Sequence, residues 1–152
     1  MTVERMLDSH RNQVETLLLE VKSEEGLYSL QSWTADRVFM PFRGRMGFVA
    51  RDHKTGSVVG ISILQKVPDG IEIHFMATSV LFRRQGVGRR LIENAFHLLR
   101  DNDFATDAPS LFLEVEANNE RARRFYQSMG FQSAGQRPHY YGEGQHAELM
   151  SF

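Results

Sequence analysis

A glycine-containing turn is the most suggestive chemical feature of this sequence. The stretch RRQGVGRRL, from Arg83 to Leu91, places Gly86 and Gly88 among arginines, after an apolar run and before a helical pattern. A strand that leads through such a turn into a helix presents several backbone N–H groups at the positive end of the helix dipole. Glycine keeps the approach open, because a Cβ would hold an anion away from these amides. The turn therefore predicts an anion-binding site.

The same residues disfavour two common phosphate-binding motifs. The turn lacks the Gly-Lys-Ser/Thr ending of nucleoside triphosphate loops. Leu91 stands where the third glycine of the dinucleotide fingerprint would fall. The spacing Arg83-x-x-Gly86-x-Gly88 instead resembles the pyrophosphate-binding pattern of acetyl-CoA-dependent N-acetyltransferases. Taken alone, the spacing also fits a tight strand-to-helix turn that binds nothing.

A second motif downstream extends this resemblance. The segment LEVEANNERARRFYQSMGF contains Asn119-x-x-Ala122-x-x-Phe125-Tyr126, followed by Met129-Gly130-Phe131. This combination is similar to the second signature of the GNAT superfamily, and the sequence is identified as a member of it. From Trp33 onward the chain most resembles the bacterial branch that acetylates the N-terminal alanine of a small-subunit ribosomal protein.

The resemblance implies a set of functional residues. In that branch the residues matching Glu114 and Tyr126 are the catalytic pair, and the tandem matching Tyr140-Tyr141 lies beside the peptide site. The cosubstrate implied is acetyl-CoA, and the residues expected to bind it are Met76, Thr78, Arg83, Arg84, Gln85, Gly86, Val87, Gly88, Arg89, Asn119 and Tyr126. The chain departs from the branch in having Thr78-Ser79-Val80 in place of Val-Asp-Pro, and a longer segment from Asp101 to Ser110.

Acetyl transfer to an amine needs a base, an oxyanion site and a proton for the leaving sulfur. A peptide α-amino group has a pKa of about 8, so a base must remove its proton near neutral pH. Alternation along LFLEVE turns Glu114 and Glu116 away from the leucines, so Glu114 can face a cleft, directly or through water. Glu116 and Glu72 are the reserve bases. Backbone N–H near Thr78 is the expected oxyanion site, and the Tyr126 hydroxyl can protonate the sulfur.

Three arginines follow the second motif's first asparagine and have two interpretations. Arg121, Arg123 and Arg124 are spaced so that they can contact the outer phosphate of CoA. A solvated basic helix face explains them equally well.

The elements that must position these residues form an α/β (α+β) pattern. Helical periodicity occurs in the first third, after the glycine turn and after Asn119, with a weaker apolar cluster around Trp33 and Phe39. Strand-like runs are GFVARD, SVVGISILQK, GIEIHFMATSV and LFLEVE, with a closing hairpin from 132–137 and 147–152. This order fits a mixed sheet better than a doubly wound one. The resemblance implies the GNAT fold, with a mostly antiparallel sheet of about seven strands and about four helices.

Composition narrows the class of protein. The 152 residues suit one domain, 1–152, and 41% apolar with 24% charged residues is typical of a globular chain. No apolar run approaches the length of a membrane span, and MTVERMLDSHRNQ lacks a signal-like apolar centre, so we expect a cytoplasmic protein without a membrane partner. Six isolated histidines and no cysteine indicate neither a metal site nor thiolate catalysis. A net charge of −1 argues against a nucleic-acid partner.

The sequence therefore predicts a single acetyltransferase domain that moves an acetyl group from acetyl-CoA to a primary amine. The expected acceptor is the N-terminal α-amine of a protein. The alternatives are a small amine, such as a polyamine, an amino sugar or an amino acid, and a non-catalytic acyl-CoA-binding module. Nothing in the residues favours a particular oligomeric state.

Overall fold

One mixed sheet runs through the computed structural model, which describes residues 1–152. Its seven strands are β1 (Thr2–Arg5), β2 (Arg45–Arg51), β3 (Val58–Val67), β4 (Gly70–Thr78), β5 (Ser110–Glu116), β6 (Gln132–Gly142) and β7 (Gln145–Ser151). They lie in the order β1-β2-β3-β4-β5-β7-β6. Only β4 and β5 are parallel neighbours, because α4 and its following loop connect them. The predicted mixed, mostly antiparallel sheet is confirmed.

Five α-helices cover the two faces of this sheet. They are α1 (Arg11–Glu25), α2 (Tyr28–Gln31), α3 (Ala35–Phe39), α4 (Val87–Asp101) and α5 (Glu120–Ser128). Helices α1 to α3 pack on one face and α4 and α5 on the other, each over its own buried apolar cluster. Helices α2 and α3 have only 4 and 5 residues, which is why the sequence shows them as an apolar cluster and not as a periodic pattern. None of the helices has both the length and the apolar character that crossing a membrane requires.

The N-terminal strand is the element that the sequence-based assignment lacks. The sequence pattern predicts helix in the first third of the chain, but Thr2–Arg5 pair antiparallel with Phe48 to Arg51 of β2. Four residues are too few to show a period, so the pairing with β2 decides their conformation. At the other end, β6 continues to Gly142, beyond the predicted limit at Arg137.

A bulge in β4 prepares the site. Ile63 of β3 pairs with Phe75 and Leu64 pairs with Ile73, which leaves His74 as an extra residue in β4. The extra residue reverses which side chains face which helices. Ile73 therefore packs in the cluster under α4 and α5, whereas Phe75 packs in the cluster under α1.

The parallel strands β4 and β5 separate beyond this bulge. Their pairing runs from Gly70 opposite Ser110 to Ile73 opposite Leu113 and then ends. Past that point β4 stays paired with β3, and β5 stays paired with β7. A slot therefore opens through the sheet between 74–78 and 114–116. The predicted oxyanion site lies near Thr78, and the two strands begin to separate at His74.

Candidate functional site

The slot widens into a cavity of about 1090 Å³. Its walls come from β4, β5, α2, α5 and the turn before α4, and they include most of the residues that the sequence analysis selected. Those lining residues are Met76, Thr78, Arg83, Arg84, Gly86, Val87, Gly88, Arg89, Glu114, Asn119 and Tyr126. Gln85 is the exception: its side-chain amide donates to the Leu81 carbonyl, at 2.9 Å, and it does not line the cavity.

The glycine turn has the geometry of an anion cradle. Gly86 has φ +82° and Arg84 has φ +59°, so two residues of the turn adopt the left-handed region. The turn ends at Val87, where α4 begins, and the first N–H groups of a helix have no partner within it. A Cβ added to Gly86 would meet no atom within 4 Å, so the protein leaves this position open. These features fit a phosphate group at the N-terminus of α4.

Gly88 also has a packing role that the sequence does not show. A Cβ on Gly88 would lie 3.0 Å from Cζ of Phe125. The glycine therefore allows α5 to pack closely against the first turn of α4. Gly60 of β3 acts in the same way, since a Cβ there would lie 2.5 Å from Val87. An isolated glycine in a strand does not show what approaches it, so the sequence pattern alone does not indicate this role of Gly60.

A carboxylate connects the glycine turn to two helices. Oε1 of Glu25, the last residue of α1, lies 2.5 Å from Arg83 and also forms an ion pair with Arg121 of α5. Glu25 is largely buried, with 12% of its side chain exposed. The sequence pattern does not distinguish Glu25, because it lies among acidic residues that are typical of a solvated helix face.

The three arginines of α5 do different things. Arg121 lines the cavity. Arg123 is bound to the buried Glu148 of β7 and to the Ala117 carbonyl, so it holds α5 to the sheet. Arg124 forms an exposed pair with Glu120 one helical turn earlier. Arg121 can therefore contact a phosphate in the cavity, whereas Arg124 belongs to a solvated helix face.

The approach to the glycine turn is fixed by Glu20 of α1. Its Oε1 accepts hydrogen bonds from the hydroxyl of Ser79 at 2.9 Å and the backbone N–H of Val80 at 2.6 Å. Within the sequence Thr78-Ser79-Val80, the side chain of Ser79 therefore connects the end of β4 to α1. A short 3₁₀ turn, Val80–Phe82, follows and leads to Arg83.

Glu114 lies at the edge of the slot on the face of α1 to α3. Its side chain is 14% exposed, and Oε1 forms an ion pair with Nε of Arg137 at 3.1 Å. The two reserve bases have other partners in the same cavity. Glu72 lies 3.3 Å from Nε2 of His74, and the buried Glu116 accepts a hydrogen bond from the backbone N–H of Ser29.

Tyr126 reaches the same cavity from α5, on the opposite face of the sheet. Its ring packs edge-on against Phe131 at 5.7 Å. Burial raises the pKa of the Tyr126 hydroxyl above its ordinary value, so the group stays protonated at neutral pH. The structure thus brings Glu114 and Tyr126 to one cavity from the two faces of the sheet.

The C-terminal hairpin adds two tyrosines at the mouth. Tyr140 is half exposed, and Tyr141 is less so. Burial, then the negative charge of Glu114, raises the pKa of both hydroxyls, and Glu116 also contributes at Tyr141. Across the cavity Trp33 stacks on Phe75, with 4.6 Å between the ring centroids.

Asn119 begins α5. Its Oδ1 accepts a hydrogen bond from the backbone N–H of Ala122 at 3.1 Å, which is the usual geometry of a helix N-cap. The side-chain oxygen of Asn119 therefore binds a neighbouring backbone group. The side-chain amide nitrogen of Asn119 donates no hydrogen bond to another residue.

Comparison with known proteins connects this geometry to a family. The profile of the "Acetyltransferase (GNAT) family" matches residues 8–131. The chain is also 35% identical over 88 residues to the "[Ribosomal protein bS18]-alanine N-acetyltransferase" of Escherichia coli. That alignment covers 58% of this chain and 57% of the relative, so the chain matches little more than half of the relative's length.

Solved structures show the same fold along the whole chain. The ribosomal-protein-S18-alanine N-acetyltransferase from Escherichia coli superposes with a TM-score of 0.79 at 22% identity, covering 99% of this chain and 92% of the other. An aminoglycoside 6'-N-acetyltransferase complexed with coenzyme A superposes with a TM-score of 0.73 at 16% identity, covering 100% and 96%. At these identities the likeness concerns the fold alone.

Proposed function

This chain belongs to the acetyltransferase (GNAT) family, and we propose that it transfers an acetyl group from acetyl-CoA to the N-terminal α-amine of a protein. The observation that carries the proposal is the slot between β4 and β5, which has an open anion cradle beside it and Glu114 and Tyr126 on its walls. We propose direct transfer with both substrates bound together, and the chain has no cysteine thiol to carry an acyl group.

The residues present fit the diphosphate of acetyl-CoA. Gly86 leaves the cradle open, and the first turn of α4 supplies N–H donors. Arg83, Arg84 and Arg89 line the same end of the cavity and bring positive charge to it. Met76 and Thr78 of β4 and Asn119 of α5 border the slot through which the pantetheine arm would pass.

When bound, acetyl-CoA supplies an activated acetyl thioester. Glu114 accepts the proton that the attacking amine loses, directly or through a water molecule. Backbone N–H groups of β4 beyond Ile73, where the strand has no partner on the β5 side, bind the negative charge that develops on the acetyl oxygen. The nitrogen–carbon bond forms and the carbon–sulfur bond breaks. Tyr126 gives its hydroxyl proton to the sulfur and regains one from solvent, so the products are an amide and a thiol.

The acceptor assignment is supported by the alignment to an N-terminal alanine acetyltransferase. It is also supported by the open mouth of the cavity, where Tyr140 is 51% exposed and Tyr141 also lines the wall. Such a mouth leaves room for a chain that continues outward from the reacting amine.

Release of CoA from acetyl-CoA tests the proposal. The acceptors are peptides that differ only in their first residues, measured beside spermidine, amino sugars and free amino acids. Turnover confined to peptides that begin with alanine or serine is the expected result. Turnover confined to small amines would replace the acceptor and keep the chemistry. Tight acetyl-CoA binding without turnover of any amine would instead indicate the non-catalytic acyl-CoA-binding module.

A further inference from the structure

Glu116 is a buried carboxylate that the proposed chemistry does not use. It is the last residue of β5 and is 2% exposed, although it forms no ion pair. Its Oε1 has no hydrogen-bond partner and no contact with solvent. Burying a charged group costs free energy unless something compensates it. The contact made by the other carboxylate oxygen of Glu116 must therefore compensate the free-energy cost of its burial.

That oxygen holds α2. Oε2 of Glu116 accepts a hydrogen bond from the backbone N–H of Ser29 at 3.0 Å, between residues 87 positions apart. Ser29 lies in the first turn of α2, where an N–H has no partner within the helix. The residue before the helix, Leu27, has no side chain that could accept this bond. Glu116 therefore supplies from the sheet the acceptor that α2 lacks locally.

The segment held in this way forms one wall of the cavity. Leu27, Ser29, Leu30 and Trp33 all line it. Leu30 and Trp33 are buried, and the Trp33 N–H donates to the Leu30 carbonyl, so the position of α2 is passed on to the ring of Trp33. This wall lies on the face of α1 to α3, where Glu114 also lies.

We propose that Glu116 is a positioning residue that anchors α2 across the acceptor side of the cavity and so sets affinity for the amine. The proposal rests on the proposed function for the identity of the ligand, but the anchor itself is a property of the free protein. Since the anchor does not touch the glycine turn, its loss should weaken binding of the acceptor and spare binding of acetyl-CoA.

Two substitutions at Glu116 grade the effect. Glu116→Leu removes the acceptor of the Ser29 N–H, and we expect the KM of the peptide acceptor to rise roughly tenfold, as for loss of a hydrogen bond to a charged group. Glu116→Gln keeps an oxygen that can accept the bond, so a rise of about two- to threefold is expected. In both variants the Kd of acetyl-CoA, measured by calorimetry, should stay within about twofold of the wild-type value.

Glu148→Gln is the matched control. Glu148 is also a buried carboxylate and lies opposite Val115 on the neighbouring strand, but it binds Arg123 and does not line the cavity. This control should lower stability without changing the KM of the acceptor. An equal rise in acceptor KM in Glu148→Gln, or an equal rise in acetyl-CoA Kd in Glu116→Leu, would overturn the proposal.

Hydrogen exchange of the free protein decides the anchor independently of catalysis. Amides of residues 28–33 should exchange faster in Glu116→Leu than in the wild type, with residues 87–101 unchanged as the internal reference. Unchanged exchange at 28–33 would refute the anchor even if the enzyme is active. Wild-type protein that acetylates no amine would refute the proposed function, while the exchange result would still stand for α2.

Discussion

The carboxylate of Glu114 and the guanidinium of Arg137 form an ion pair, with 3.1 Å between Oε1 and Nε. Arg137 belongs to β6, so the pair connects the proposed base to the hairpin that carries Tyr140 and Tyr141. The register of β6 is irregular from Arg137 to Gly142, and few ladder bonds fix that part of the hairpin. Arg137 is 54% exposed, so solvent screens its attraction to Glu114.

Substitution of the proposed base should abolish most of the chemistry and leave cosubstrate binding intact. Glu114→Gln keeps the shape of the side chain but cannot accept the amine proton, and we predict a fall in kcat of about a hundredfold or more. Calorimetry should give an acetyl-CoA Kd close to that of the wild type. Glu72→Gln is the comparison, since Glu72 lines the same cavity beside His74. Loss of kcat in Glu72→Gln with normal kcat in Glu114→Gln would assign the base to Glu72.

Two glycines of the same turn should respond differently to alanine. Gly86→Ala places a Cβ in open space at φ +82°, and we predict weaker acetyl-CoA binding together with a backbone cost of about 1 kcal/mol. Gly88→Ala brings a Cβ against the ring of Phe125, so the main expected effect is a lower Tm.

The pairing of Gly88 with Phe125 can be checked by a second substitution. Phe125→Leu should relieve part of the destabilisation caused by Gly88→Ala, because the leucine leaves more room beside the α4 turn. Thermal unfolding of the two single variants and the double variant measures the coupling. Strictly additive losses of stability would mean that this contact does not determine the choice of glycine at position 88.

Local patterns were enough to place the elements that carry the site. The period of Val87, Leu91 and Ala95 indicated α4, and the alternation of LFLEVE indicated β5 with Glu114 turned from the leucines. Both patterns succeed because each element buries one face against the same core. The glycine turn and the second motif then selected residues that line the cavity, with Gln85 as the exception.

Features that depend on distant partners could not be obtained in this way. IEIHFMAT reads as an uninterrupted strand, and the bulge at His74 exists only because β3 pairs with it in a shifted register. Glu116 is predicted as a reserve base of β5, and the hydrogen bond that it accepts joins it to Ser29, 87 positions away. Glu25 similarly gains its role only when α1 ends beside Arg83.

Removing the charge of Glu25 should strengthen binding of CoA. The carboxylate forms ion pairs with Arg83 and Arg121 and so neutralises part of the positive charge that faces the diphosphate, and its own negative charge opposes that ligand. We predict that Glu25→Gln lowers the Kd of CoA severalfold in dilute buffer, with the gain shrinking as salt is added. Glu24→Gln is the matched control, because Glu24 precedes it on α1 and is exposed. Weaker binding in Glu25→Gln would mean that the carboxylate mainly orients the two arginines.

The buried hydroxyl of Tyr126 should make the fold sensitive to alkali. Burial raises the pKa of Tyr126 above its ordinary value of about 10, so above that pH the folded state keeps a proton that the unfolded state has lost. The contribution of Tyr126 to the free energy of unfolding is therefore complete below about pH 10. As the pH rises further, the free energy of unfolding falls by up to about 1.4 kcal/mol per pH unit. Urea unfolding from neutral pH upward should show a shallower decline in Tyr126→Phe than in the wild type. Tyr28→Phe, at an exposed position, should follow the wild-type curve, and identical curves for all three proteins would contradict the assignment.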